Sequence, residues 1–307
     1  KVAFTICEDM WEQGPVMQAR SVGAQLMINI NASPYHINKL SERQALLRRR
    51  SVEGGFPIIY VNMVGGQDEL VFDGGSMVVT ALGECHALGP SYMEALVPVV
   101  VQVGESSEGP CEIPLQQLAP SLSLEAQVYQ SLVLGVRDYA RKNKFKKVVL
   151  GLSGGIDSAL TLAIAADALG SDRVQAVMMP FTFTSAMSLD LAAQQATKLG
   201  VDYQQISIQG VYSEFMQALE GQFANTETDV SEQNLQARCR GVLLMAISNK
   251  KGSLVLTTGN KSEIAVGYST LYGDMAGGFD VLKDVSKTLI YRLAHYRNTE
   301  YSAVAEE

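Results

Sequence analysis

The chain is short of the residues that build metal clusters and disulfide frameworks, with 4 cysteines and 3 histidines in 307 residues. Cys7, Cys85, Cys111 and Cys239 lie far apart and form no C-x-x-C pair, which excludes a disulfide scaffold and fits a reducing, cytoplasmic setting. His36, His86 and His295 are equally isolated, so no zinc-type or iron-type ligand spacing is present. No apolar run reaches about eighteen residues, which argues against a membrane-spanning helix. Positive charge is scarce too: 24 Lys and Arg against 32 Asp and Glu leave a net charge of −8, the wrong sign for a protein that must neutralise nucleic-acid phosphates. What is present, 47% apolar and 18% charged, is the composition of a globular protein. At roughly 100–200 residues per domain, two cores are expected. The opening Lys1–Ile6 reads as a strand already under way, without the regions of a signal peptide. The expectation is a piece of a longer parent.

Strand-like runs at Val2–Ile6, Gln25–Ile30, Ile58–Val64, Ser76–Thr80 and Val97–Val103, with a helical stretch over Lys39–Gly54, predict half of an α/β sandwich across residues 1–104. A Gly-, Pro- and Ser-rich stretch then breaks all periodicity and predicts a linker over 105–121. The second domain is expected from residue 122 to 307. There a helix over Leu124–Asn143 precedes strands at Lys147–Leu152, Val174–Met179, Asp202–Ile208 and Leu254–Thr258. These alternate with helices at Asp157–Leu169, Leu189–Leu199 and Glu232–Asn249. Such alternation implies right-handed crossovers and a doubly wound parallel sheet that binds ligands at its carboxyl edge.

The most informative segment is Val148-Val-Leu-Gly151-Leu-Ser153-Gly154-Gly155-Ile156-Asp157-Ser158, a buried strand entering a glycine turn and then a helix. Glycines let backbone amides approach an anion, the helix N-terminus adds a positive dipole, and Ser153 and Ser158 can donate hydroxyl hydrogen bonds. Where a Walker loop has Lys, this one has an acid. An acid beside phosphates is stable with a divalent cation between them, so Asp157 is expected to hold Mg²⁺. A lone S-G-G reads equally well as a strand-to-helix turn capped by Asp157.

The whole string resembles the signature of the PP-loop ATP pyrophosphatases, which activate a carboxylate as an adenylate. Thr257-Thr258-Gly259-Asn260-Lys261-Ser262-Glu263 and Gly267-Tyr268-Ser269-Thr270-Leu271-Tyr272-Gly273-Asp274 resemble the T-G-N-K-S-E and G-Y…T-L-Y-G-D patterns of the NAD⁺ synthetases within that group. So do Asn234–Arg240, Met179-Pro180 with Thr184–Asp190, and Leu282–Lys287, and the resemblance covers Leu124–Arg297. It implies an adenine nucleotide alpha hydrolase-like fold and ATP contacts from Gly151, Ser153, Gly154, Gly155, Asp157, Ser158, Thr258 and Lys287. It further implies Mg²⁺ on Asp157 and Glu263, and deamido-NAD⁺ contacts from Arg238, Glu263, Asp274 and Lys287. Taken singly, each of these charges also reads as a solvated surface residue. The implied reaction is attack of the nicotinate carboxylate of deamido-NAD⁺ on the α-phosphorus of ATP, followed by displacement of AMP by ammonia.

Phe4-Thr5-Ile6-Cys7-Glu8-Asp9-Met10-Trp11 places a cysteine at the end of an apolar strand. With Asn29–His36, Val61–Asp68 and Phe72–Ser76 it resembles the carboxyl part of a nitrilase-like α/β/β/α sandwich, the glutaminase domain of glutamine-dependent NAD⁺ synthetases. That resemblance implies Cys7 as the nucleophile of a Glu–Lys–Cys triad, glutamine as the ammonia donor, and Ser33 on the glutamine side. Alone, such a cysteine reads as plain core. The family's Glu and Lys lie further upstream of the cysteine than Lys1, so Cys7 is the only triad member expected in the sequence as given. The sequence as given is therefore expected not to hydrolyse glutamine, and its end after Arg297 to be incomplete. A homo-oligomer is implied as well. Two other readings stay open: another PP-loop ligase, and a carbon–nitrogen hydrolase with a nucleotide-sensing domain.

Overall fold

The computed structural model describes residues 1–103 and 111–301. Two compact units are present, Lys1–Gly135 and Val136–Glu307. Among the described residues no helix is long and apolar enough to cross a membrane.

The first unit is built on a five-stranded sheet. Strands β1 (Val2–Ile6), β2 (Leu26–Asn31) and β3 (Ile58–Asn62) run parallel, and β6 (Met77–Val79) and β7 (Cys85–Leu88) add antiparallel in the order β1-β2-β3-β6-β7. The run expected as one strand over Ile58–Val64 breaks after Asn62, and β4 (Val64–Gln67) pairs with β5 (Leu70–Asp73) as a separate hairpin. Helices α1 (Gln13–Ser21) and α2 (Lys39–Gly54) supply one face of the core, where Val16, Leu46 and Leu47 meet Met27, Ile58 and Tyr60. The strand expected at Val97–Val103 does not form. Pro98 has no amide to give, and the segment contributes only an isolated Gln102–Glu112 bridge.

The stretch expected as a linker lies partly outside the described residues, at 104–110. From Cys111 onward it is irregular but not loose. Ile113 is buried, and the Leu88 amide donates to the Gln117 carbonyl at 3.1 Å.

The second unit begins within α3 (Leu124–Lys142) and holds a fully parallel sheet in the order β10-β9-β8-β11-β12. Its strands are β8 (Val148–Gly151), β9 (Val174–Met178), β10 (Asp202–Gln205), β11 (Leu254–Thr257) and β12 (Phe279–Asp280). The helices are α4 (Ile156–Leu169), α5 (Ala186–Leu199), α6 (Gln209–Leu219), α7 (Val230–Lys251), α8 (Lys261–Ala265) and α9 (Lys287–Thr299). Every residue of β9 and β11 is buried, as near-continuous apolar runs in a parallel sheet require. Strand order reverses between β8 and β11, which are hydrogen-bonded neighbours. At such a reversal the two following loops diverge to opposite faces and leave a crevice. Here those loops are Leu152–Gly155 and Thr258–Asn260.

Candidate functional site

The loop after β8 is pinned by its own side chains. The Ser153 amide donates to Ser158 Oγ at 3.2 Å, the two hydroxyls lie 3.0 Å apart, and the Gly155 amide donates to Ser153 Oγ at 3.2 Å. Gly154 has φ +81°, and a Cβ there would sit 2.5 Å from the carbonyl oxygen of Ser188 at the start of α5. Only glycine satisfies both demands. The loop therefore presents bare backbone ahead of the first turn of α4, whose leading amides have no partner within the helix.

Asp157, in that first turn, does not point at open solvent. Its Oδ1 accepts from Asn260 Nδ2 at 3.0 Å, and its Oδ2 accepts from Lys287 Nζ at the start of α9. Asn260 is fully buried and caps α8 through a reciprocal pair: its Oδ1 accepts from the Glu263 amide at 3.0 Å, and its own amide donates to Glu263 Oε2 at 3.3 Å. One asparagine thus joins both acids expected to hold metal. Among the described residues no group of three or more His, Cys, Asp or Glu forms a cage. Magnesium does not need one, because it takes one or two carboxylates plus phosphate and water oxygens at near-octahedral geometry. Two carboxylates held by one buried asparagine, Asp157 through its side-chain amide and Glu263 through its backbone N–H, are a donor set that fits a hard cation.

Beside the loop lies a cavity of 340 Å³. Gly151, Ser153, Thr258 and Asp274 are among the residues lining it, with the carboxyl ends of β8, β9 and β11 forming its base. Arg238 does not line it. Arg238 is exposed and donates to the Leu271 carbonyl at 3.3 Å, whereas Arg240, two residues on and therefore on the other side of α7, lines the cavity and donates to the Met179 carbonyl at 3.2 Å. Burial holds the Arg240 guanidinium below its ordinary pKa. Asp274 accepts from the Thr270 amide at 2.7 Å, closing the Thr270–Gly273 turn. A smaller cleft of 20 Å³ is lined by Glu263, Asp274 and Asp280. Burial pushes the Asp280 carboxyl above its usual range, opposed by the Thr257 hydroxyl across the β11–β12 pair.

In the first unit Cys7 opens a short 3₁₀ turn, Cys7–Met10, straight after β1, at φ +44°. A cysteine has no intrinsic reason to adopt that backbone, so the surroundings must impose it. Asp9 Oδ2 accepts from the Ile6 amide at 2.9 Å, and buried Arg50 of α2 donates to the carbonyls of Met10 and Trp11. Strand, strained residue and braced helical turn place the thiol at the carboxyl end of the sheet. Ser33, expected toward glutamine, is 4% exposed, and its backbone and side chain are both engaged. Its amide donates to Asn62 Oδ1 at 2.9 Å, and its carbonyl and hydroxyl accept from Arg43. Arg43 in turn grips Asp73 through both its terminal nitrogens. In this fold Ser33 holds up a buried ion pair.

Sequence reasoning gave no individual role to Asn260, Arg240, Arg50 or the Arg43–Asp73 pair, although Asn260, Arg240 and Asp73 lie within the family motifs. Asn260 carried a further signal, since Asn-x-x-Glu ahead of a helix is a capping-box pattern. The others are ordinary arginines on helices until the fold brings their partners to them.

The model of the carbon–nitrogen hydrolase family matches residues 1–106 and that of the NAD synthase family residues 128–305. The glutamine-dependent NAD(+) synthetase of Acinetobacter baylyi is 48% identical over 299 residues, covering 97% of this chain and 54% of that protein. The enzyme of the same description from Thermotoga maritima is 44% identical over 330 residues, 97% of this chain and 57% of its own. A solved glutamine-dependent NAD⁺ synthetase from Acinetobacter baumannii, in complex with adenosine diphosphate, superposes with TM-score 0.92 at 46% identity, over 98% of this chain and 56% of that one. The NH3-dependent NAD synthetase from Campylobacter jejuni matches at TM-score 0.53 and 34% identity, over 59% of this chain and 76% of that one. The chain spans about half the length of the curated relatives it matches. With a match that runs from within α3 past the last described residue and takes in the whole parallel sheet and its glycine loop, the chain belongs to the NAD synthase family.

Proposed function

We propose that residues 122–307 form the ATP-dependent amidating half of a protein that converts deamido-NAD⁺ to NAD⁺ through an acyl-adenylate, releasing AMP and pyrophosphate. Residues 1–104 belong to the glutaminase half that supplies ammonia, with 105–121 joining them. The observation that carries this reading is Asp157: an acid in the first turn of a phosphate-type loop, joined through Asn260 to Glu263 on the opposite side of the sheet's switch point. The shared description of the A. baylyi and T. maritima relatives supports the substrate assignment.

The roles follow from placement. The loop amides of Ser153–Gly155 and the first turn of α4 receive ATP's phosphates, and the 340 Å³ cavity beside Gly151 and Thr258 takes its adenosine. Mg²⁺ held by Asp157 and Glu263 supplies charge neutralisation to the phosphates when bound. Lys287 brings a mobile positive charge on a flexible stem to the same phosphates. Arg240, half-buried at the cavity, stabilises negative charge there more strongly than the exposed Arg238, which together with Asp274 lies toward the deamido-NAD⁺ side. Nothing covalent is asked of these groups; positioning and electrostatic stabilisation carry the chemistry. Cys7, in its strained turn, is the thiol that attacks the glutamine amide in the full-length protein, and Ser33 serves the glutamine side by holding the buried Arg43–Asp73 pair. The free cysteines support a cytoplasmic setting, and the family a homo-oligomer.

AMP formation that depends on both deamido-NAD⁺ and ammonia tests the reading. Asp157→Ala is expected to lower that rate at least about a hundredfold, the scale on which a group stabilising transition-state charge acts. Nucleotide binding with no AMP release would instead favour a sensor, and full activity in Asp157→Ala would refute the role given to the acid.

A further inference from the structure

Both oxygens of Asp157 already have protein partners, and the two partners differ in kind. Asn260 is fixed: its side chain is fully buried, and each end of its amide is tied, one to Asp157 and the other to the Glu263 backbone. Lys287 is not. Its backbone amide is held by Ser262 Oγ at 3.0 Å, but its side chain is 39% exposed and reaches Asp157 on a four-carbon stem free to rotate. Asn260 therefore orients the carboxylate, and Lys287 neutralises it.

An ammonium at hydrogen-bond distance and a divalent cation at about 2.1 Å on the same carboxylate oxygen would stand within a few ångströms of each other, and their repulsion makes each weaken the other's hold. We propose that Lys287 is the resident counter-ion of Asp157 and competes with a divalent cation for Oδ2. The lysine swings away as a cation binds there, and the ammonium so released is the one that meets the phosphates of ATP. A single side chain then links filling of the cation site to capture of the nucleotide. Lys287 weakens cation binding by the free chain and repays that cost only when phosphates are there to receive it. This inference rests on the metal reading of Asp157 given above.

The test is Mn²⁺ binding by the whole chain without nucleotide, read as the loss of the free-ion signal in electron paramagnetic resonance. Lys287→Gln removes the competing charge while keeping a polar side chain of similar reach. It is expected to bind Mn²⁺ about fivefold more tightly than the parent, the scale set by losing one partly exposed ion pair. Lys261→Gln, an exposed lysine near Glu263 that makes no contact with Asp157, is the control for general charge and is expected to stay within about twofold of the parent. Equal affinity in Lys287→Gln and the parent, or an equal gain in Lys261→Gln, overturns the exchange. Asp157→Asn separates the two layers of the argument. Loss of Mn²⁺ binding there supports Asp157 as the seat of the ion, whereas undiminished binding removes the metal reading together with the exchange built on it.

Discussion

Replacing Gly154 by alanine is the sharpest probe of the phosphate loop. The residue sits at φ +81°, where an L side chain crowds the following carbonyl, a strain of about 1–2 kcal/mol. The new Cβ would also stand 2.5 Å from the Ser188 carbonyl oxygen and 2.9 Å from its Cα, both backbone atoms that cannot rotate away. Relief requires the loop or the start of α5 to move, which adds about 1–3 kcal/mol as in other overpacked sites. The total, about 2–5 kcal/mol, corresponds to a fall in Tm of roughly 4–20 °C for a unit of this size. Gly155→Ala is the matched control. Its φ is negative, and its Cβ would meet only the Ser153 hydroxyl, at 3.3 Å, so a shift under about 1 kcal/mol is expected. Thermal unfolding followed by circular dichroism, with ATP affinity measured by calorimetry on the same samples, reads both effects. If Gly154→Ala melts and binds nucleotide like the parent while Gly155→Ala does not, the account of this loop is wrong.

Three further expectations follow from buried charge. Asp73→Ala leaves the fully buried Arg43 guanidinium uncompensated and is expected to destabilise the first unit by about 3–5 kcal/mol in urea unfolding, whereas Arg43→Met combined with Asp73→Leu costs much less. Asp280 has its carboxyl pKa raised by burial, so its ionised form opposes folding. The stability it contributes is complete below the unfolded pKa and is lost as pH rises through the folded one. Asp280→Asn should therefore raise Tm at neutral pH, with an advantage that shrinks to nothing below about pH 4; a constant advantage at all pH values would contradict the assignment. Removing divalent cations with a chelator should abolish AMP formation while leaving the melting temperature within about 1 °C, because Asn260 and Lys287 keep Asp157 satisfied through protein contacts.

Helix α2 runs over Lys39–Gly54 as its apolar spacing implies, and α4 and α7 begin within two residues of their expected starts. The glycine loop, its acid and the family resemblance were equally plain in the order of residues. All of these are local, set within one turn or one pleat of the chain, and periodicity and capping act over that range. The run at Val97–Val103 shows where that logic ends, since a strand pattern makes a strand only if another strand lies alongside. What the tertiary structure decided was which distant groups meet. Asn260 lies 103 residues from Asp157 and Lys287 lies 130 from it, yet together they occupy both of its oxygens. Arg240 and not Arg238 lines the cavity because α7 packs with one side of its turn toward β8 and β11. Ser33 supports Arg43 because α2 brings that guanidinium within hydrogen-bond distance of its hydroxyl and carbonyl. Local preference fixes the elements; the pairing of charges across the sheet depends on how those elements bury their apolar faces, and no spacing along the chain encodes that.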